Sequence, residues 1–183
     1  MTTDQNDAWF WNLIQECIPE ESGYSIEQHK ARLLTSLAAL SDEDLFKFAP
    51  KFEDFYQASY APNLWNAGYI ISNCMGDDSF SDFRRSIIAF GKVVYERSLA
   101  DPEYLAAFPL TEFLVKGETF SYLLHETLEK RMDEDAVLDA MEGIYRRLPD
   151  IDASLLIDDP EMLKTKFPRL FEKFWDYSWD KPD

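Results

Sequence analysis

Leu64-Trp65-Asn66-Ala67-Gly68-Tyr69-Ile70-Ile71, followed by Gly76-Asp77-Asp78-Ser79-Phe80-Ser81-Asp82-Phe83-Arg84, decides how the rest of the chain is read. The first run is apolar nearly all round, which predicts a central helix over 64–74 rather than a surface one. Asn63 is placed to cap it. Gly68 lowers helix propensity by up to roughly 1 kcal/mol relative to alanine. Its expected role is to let a neighbouring helix approach. After a tight connection over 73–78, the spacing predicts a helix over 79–98. Phe80, Phe83, Ile87, Phe90 and Val94 fall on one side of it, and Asp82, Arg85, Lys92 and Glu96 on the other.

The flanking sequence is helical in the same way. Phe10, Leu13, Ile14 and Cys17 recur at helical spacing over 7–18, with Pro19 just beyond. Ser25 opens a second helix, and Gln28 three residues later completes the pattern of a capping box. Ser41 caps a third, whose first turn holds Asp42, Glu43 and Asp44 at the positive end of the helix dipole. Pro50 falls inside that pattern, so the helix either kinks there or a new one begins. Further helices are expected from Asp101-Pro102 to Ala107, over 118–131, over 135–148, from Asp159-Pro160, and from Pro168 to near Trp175. Only 154–157 hints at a strand. The expected fold is all-α, a single compact bundle of about eight or nine helices, with a core over 1–132 and a helical extension over 133–183 packed on the same domain.

The 183 residues suit one domain, and 46% apolar residues suffice for a real core, so disorder is excluded. The net charge is −17, and the excess acid is spread evenly: residues 1–100 carry 15 acids and 8 bases, residues 101–183 carry 20 and 10. Distributed acidity repels nucleic acid and anionic membranes and steers the chain towards basic partners. Cys17 and Cys74 lie far apart in apolar settings, as expected of buried reduced thiols in a cytoplasmic protein. The stretch Met1 to Asp7 is polar and acidic, without the basic start and apolar core of a signal peptide. No uninterrupted apolar run approaches the roughly 18 residues of a membrane span.

Chemistry is harder to place. Asp77, Asp78 and Asp82 are the acids nearest to a cation site, but Asp77 and Asp78 are adjacent, and the twelfth position counted from Asp77 is Ile88 where a calcium loop needs glutamate. The alternative is that Asp78 or Ser79 caps the helix while Asp82 sits in its first turn and pairs with Arg85. Arg84 and Arg85 suit an ion-pair cluster or a phosphate contact. His29 shares a face with Ile26 and Leu33, and His125 stands four residues before Glu129. Neither histidine has zinc-ligand spacing, so no metal and no cofactor is expected. No Gly-x-Ser-x-Gly elbow, P-loop or dinucleotide fingerprint occurs. The aromatics Trp9, Trp11, Trp175, Tyr177 and Trp179 near the two termini are expected to pack together and close the bundle.

The order and spacing of Phe10-Trp11, Leu64-Trp65, Tyr69-Ile70, Cys74, Gly76-Asp77-Asp78-Ser79-Phe80, Phe83-Arg84, Gly91-Lys92-Val93-Val94-Tyr95, Ala100-Asp101-Pro102 and Glu112-Phe113-Leu114 resembles a bacterial family, domain of unknown function 4240. The likeness covers roughly residues 7 to 130. Gly76 stands where the pattern has serine, and Lys92 where it has arginine. The resemblance implies a bacterial cytoplasmic domain and imports no activity.

Two functions follow as expectations. The first is a non-enzymatic acidic protein-binding domain, in concrete form an immunity or antitoxin-like protein that neutralises a basic bacterial toxin. The second is a small-ligand-binding or enzymatic domain built on Asp77, Asp78, Asp82 and Arg84, with Tyr95 beside them.

Overall fold

The computed structural model describes residues 7–149 and 151–176. Among them there is no strand, and the all-α reading holds. The helices are α1 (Ala8–Cys17), α2 (Ile26–Ala39), α3 (Asp42–Ala58), α4 (Pro62–Ser72), α5 (Asp77–Ala89), α6 (Lys92–Ala100), α7 (Thr111–Leu114), α8 (Glu118–Ser121), α9 (Leu123–Leu128), α10 (Glu134–Ile144), α11 (Pro160–Lys166) and α12 (Pro168–Phe174). Short 3-10 turns occupy Pro102–Ala106 and Ala153–Leu155. There are more helical segments than expected, chiefly because two of the long helices are each broken in two and the short α7 was not foreseen.

The first break is at Gly91. Its φ of +91° is a conformation that residues with a Cβ rarely adopt, and a Cβ there would lie 3.0 Å from Gln15 Oε1 and 3.2 Å from Ile18 Cδ1. The chain therefore turns against the end of α1 between α5 and α6. The second break, at Tyr122, separates α8 from α9. By contrast α3 runs unbroken through Pro50, which sits on the exposed side. There the Phe46 carbonyl that loses its partner can be hydrated.

The central helix is α4, with Leu64, Ala67 and Ile70 at most 1% exposed. Burial stabilises a leucine or isoleucine side chain by about 1.5–3 kcal/mol. A Cβ on Gly68 would meet the Phe83 ring at 3.2 Å, so the glycine does admit close approach of α5. The cap differs from expectation: α4 starts at Pro62, which needs no backbone donor in the first turn, and Asn63 plays no capping part. In α5 the N-cap is Gly76 without a side-chain bond, so neither Asp78 nor Ser79 caps it. Asp77 and Asp78 instead lie in the first turn, where the helix dipole favours them. Ser25 and Ser41 do cap, accepting from the backbone N–H of Gln28 and Asp44. Arg131, just after α9, closes the far end of α2. Its Nη2 donates to the carbonyls of Leu37, Ala38 and Leu40 at 2.9–3.0 Å, completing a helix end that lacks a glycine cap.

The C-terminal segment is gripped by α4 and its surroundings. Asn66, fully buried, donates to Leu155 O at 3.0 Å and accepts from Ile157 N at 2.9 Å, as a paired backbone would. The strand-like hint at 154–157 is not a strand: Ser154 and Leu155 belong to the 3-10 turn, the chain extends only from Leu156, and its backbone is held by a side-chain amide. Asn73 repeats the device on Phe174 O and Asp176 N. Glu103 accepts from the backbone N–H groups of Arg169 and Leu170, both at 2.9 Å, at the start of α12.

Two other expectations need correction. Trp11 packs on Phe55 and Tyr95, while Trp175 stacks on Phe171 and lies tilted against Tyr69, so these aromatics seal different parts of the molecule. Tyr177 and Trp179 lie outside the described residues. Cys17 is buried but Cys74 is exposed, and both are free thiols.

His29 is wholly buried, with Tyr24 Oη 2.9 Å from Nδ1 and the Phe90 and Phe120 rings edge-on at 5.3 and 5.0 Å. Burial pulls its pKa down to about 4, opposed by the Ala89 carbonyl and assisted by Arg32. The Ala89 contact is weak, because Nε2 has no partner within hydrogen-bonding geometry. The imidazole is neutral in the folded protein, while the unfolded chain protonates near 6.5. Stability is therefore full above pH about 6.5 and falls towards pH 4, by roughly 3 kcal/mol in all. Urea unfolding at pH 7 and pH 4.5 checks this. His29→Gln should flatten the pH dependence, and identical slopes in both proteins would contradict the assignment.

Candidate functional site

On α3 the buried face is Leu45, Phe48, Ala49, Glu53 and Tyr56. One member of that apolar set is a carboxylate. Glu53 is 3% exposed. Its Oε1 accepts from Gln57 Nε2 at 2.6 Å and from the Arg146 backbone N–H at 3.2 Å, while Gln57 Nε2 also donates to Arg146 O at 2.9 Å. Both backbone groups of Arg146 are thus held by α3. The chain leaves helical geometry at Tyr145, and α10 ends at Ile144 instead of running to 148. Arg146 adds an ion pair to Asp54 at 2.6 Å.

Glu53 and Tyr56 form the floor of an open cleft of about 760 Å³. One wall is α5, where residues four and three apart share a face. Asp78, Asp82 and Arg85 therefore line the cleft together. Arg85 lies 3.6 Å from Asp82 and 4.8 Å from the Tyr56 ring centre. The opposite wall is Glu118 of α8, His125 of α9 and Tyr122 between them, and α10 contributes Met141 and the following Tyr145. Gly117 sets the closeness of these walls: a Cβ there would collide with the Asp82 carbonyl and lie 2.6 Å from the Ser86 hydroxyl. His125 is held by Glu129 at 3.4 Å. Among the described residues no group of three or more His, Cys, Asp or Glu side chains is placed to hold a metal ion.

Of the five residues singled out in the sequence, Asp78 and Asp82 face this cleft. Asp77 is exposed in the first turn of α5 and does not line it. Tyr95 is buried on α6, packed on Trp11 and Phe55 and donating its hydroxyl to Phe55 O at 3.0 Å. Burial, with Glu96 adding to it, raises its pKa. Arg84 is the largest fully buried side chain. Its guanidinium lies 3.8 Å from the Tyr56 ring centre, 4.7 Å from that of Tyr60 and 4.9 Å from that of Phe80, and Nη1 donates to Tyr56 O at 2.8 Å. No carboxylate pairs with it at ion-pair distance among the described residues. Burial pulls its pKa down to about 10, Arg85 adding and Tyr56, Tyr60 and Glu53 opposing, so the charge persists at neutral pH. Glu53, Tyr56 and Tyr145 were not singled out. For Glu53 there was a signal: an acid at the phase of an apolar stripe is either misplaced or used.

Fold and cleft define an acidic all-α domain with an open polar cleft lined by carboxylates and tyrosines. The chain belongs to the family described as protein of unknown function (DUF4240), whose model matches residues 1–144. That match reaches through α10. No curated protein matches the chain, and no solved structure does. Among the described residues no helix is long and apolar enough to cross a membrane.

Arg84→Lys tests the buried cation. Lysine keeps the charge but loses the planar stacking on Tyr56, Tyr60 and Phe80 and the directed donation to Tyr56 O. The expected loss is about 2–4 kcal/mol of unfolding free energy, a hydrogen bond to a charged group plus desolvation left uncompensated. Denaturant unfolding checks it, and a change below about 0.5 kcal/mol, the range of an ordinary surface substitution, would contradict it.

Proposed function

We propose that the chain is a non-enzymatic acidic protein-binding domain that engages a basic protein partner through the cleft between α3, α5, α8–α9 and α10. The observation that carries this reading is the lining: four carboxylates, Glu53, Asp78, Asp82 and Glu118, outnumber two arginines, Arg85 and Arg146, each already paired with an acid, and stand beside the tyrosines Tyr56, Tyr122 and Tyr145. Tyrosine is large, stiff and polar at one end, which suits it to protein contacts, and its ring face attracts cations. The net charge of −17 extends that preference beyond the cleft, speeding encounter with a basic partner and rejecting nucleic acid and anionic membranes. In its concrete form the domain is an immunity or antitoxin-like protein of the cytoplasm that covers a basic toxin.

The second reading, a small-ligand or enzymatic site on Asp77, Asp78, Asp82 and Arg84, draws less support. Arg84 is engaged in the core, and Asp77 does not line the cleft that Asp78 and Asp82 share.

Capture by the immobilised domain from lysate of the source cells, at low and at high salt, with chemical cross-links mapped by mass spectrometry, tests the proposal. A stoichiometric basic protein should be retained, should elute as salt rises, and should cross-link beside Tyr122 or Tyr145. Retention of no stoichiometric protein, or of one whose binding is indifferent to salt and to Asp82→Asn, would overturn it.

A further inference from the structure

Helices in a bundle meet through their side chains, but residues 151–176 are gripped by their backbone as well. Asn66 is fully buried, and both ends of its amide bond to that segment on either side of Leu156, at Leu155 O and Ile157 N. Asn73 does the same at Phe174 O and Asp176 N. Glu103, 7% exposed, takes the backbone N–H groups of Arg169 and Leu170 with its two oxygens. That contact supplies what α12 lacks. Its own N-cap residue is Phe167, which offers no side-chain bond, so its free donors are capped from outside. A helix of 7 residues does not stand alone in water. It takes its shape on the surface it covers, formed by α4 and the Pro102–Ala106 turn. Asn66, Asn73 and Glu103 lie within the family-matched part of the chain, and the segment they hold lies beyond it.

We propose that α4, the residues 73–76 after it and the Pro102–Ala106 turn form a peptide-binding groove, that residues 151–176 are its tethered ligand, and that a partner's segment of the same chemistry exchanges with them. That chemistry is a chain extended at one aliphatic residue, then a short helix that buries aromatic and aliphatic side chains. The groove shares no lining residue with the acidic cleft, and the proposal stands apart from the reading of that cleft. Asparagine amides that pair with a backbone N–H and carbonyl hold a peptide in register without reading its side chains. Selectivity comes from the apolar set, Leu163, Phe167, Leu170 and Phe171, each at most 3% exposed. At the far end Trp175 stacks on Phe171 and lies tilted against Tyr69 of α4. A segment that folds as it docks loses ordering entropy at that moment, which lowers its affinity and keeps it exchangeable. The short link to α10 offsets this by holding the segment at an effective concentration of about 1 mM.

A site-specific protease sequence inserted after Pro149 tests this on the full chain, because cutting frees the segment and keeps every residue present. The probe is a fluorescein-labelled synthetic peptide of residues 151–176, followed by fluorescence polarisation. The intact chain should take up none of it at micromolar concentration, since the tethered segment competes. The cut chain should stay folded and exchange its own segment saturably for the labelled peptide. A peptide carrying Phe167→Ser and Leu170→Ser should not exchange. Asn66→Ala should weaken the peptide about tenfold, the loss of two hydrogen bonds. Asn73→Gly keeps the left-handed backbone of that position (φ +54°) and removes only the side chain, so it should weaken the peptide about threefold or more even where Asn66→Ala fails to fold. Glu43→Gln, exposed on the first turn of α3, should change nothing. Unfolding of the cut chain, or its failure to take up the labelled peptide, would show the segment to be an integral part of the core and overturn the proposal. Equal uptake by intact and cut chains, equal binding of the serine peptide, or unchanged binding in both asparagine variants would overturn it as well.

Discussion

The rotation of α5 about its own axis is the constraint on which the cleft depends, and the buried guanidinium of Arg84 sets it. Packed against Tyr56, Tyr60 and Phe80 and bonded to the Tyr56 carbonyl, Arg84 ties α5 to the end of α3. With that side of the helix turned inward, helical periodicity places Asp78, Asp82 and Arg85 on the side that meets the cleft. A cation in the core thus aims carboxylates at the surface. The arrangement is costly in desolvation and is compensated by stacking and directed donation instead of by a counter-charge.

A second tie completes the cleft from the opposite side. Glu53 and Gln57 take the backbone N–H and carbonyl of Arg146, which stops α10 and presents Tyr145 at the opening. Through Oε1 that one carboxylate holds the scaffold together at the floor of the cleft. Groups fixed on helices in this way are held more precisely than groups on loops, which lowers the entropy lost when a partner is ordered against them. The remainder of the chain fastens this frame. Asn66, Asn73 and Glu103 grip the segment beyond residue 150, and Arg131 closes α2.

Much of the fold was legible because local chemistry wrote it. Ser25, Ser41 and the Asp159-Pro160 pair mark helix starts that the structure contains, and the apolar run of α4 marks the centre. The breaks were less legible, because they arise from contacts between distant residues. Gly91 turns where Gln15 and Ile18 leave no room, and α10 ends where residues 89 and more positions earlier in sequence claim its backbone. The site was half legible for a related reason. Adjacency in sequence drew Asp77 to Asp78 and Arg84 to Arg85, whereas a helix separates neighbours by about 100° and unites residues three and four apart. Counted on that period, Asp78, Asp82 and Arg85 form one set and Arg84 leaves it. Glu53 was visible as an acid in an apolar stripe, but its purpose depends on α10, which no pattern within α3 announces.

The central claim is that the buried Arg84 guanidinium, packed on Tyr56, Tyr60 and Phe80 and bonded to the Tyr56 carbonyl, holds α5 against the end of α3. Amide hydrogen exchange in Arg84→Lys, compared with the unsubstituted chain, tests it most directly. Protection should fall first and furthest in α5 and at the end of α3. Loss of protection spread evenly over all the helices, or none in α5, would contradict it.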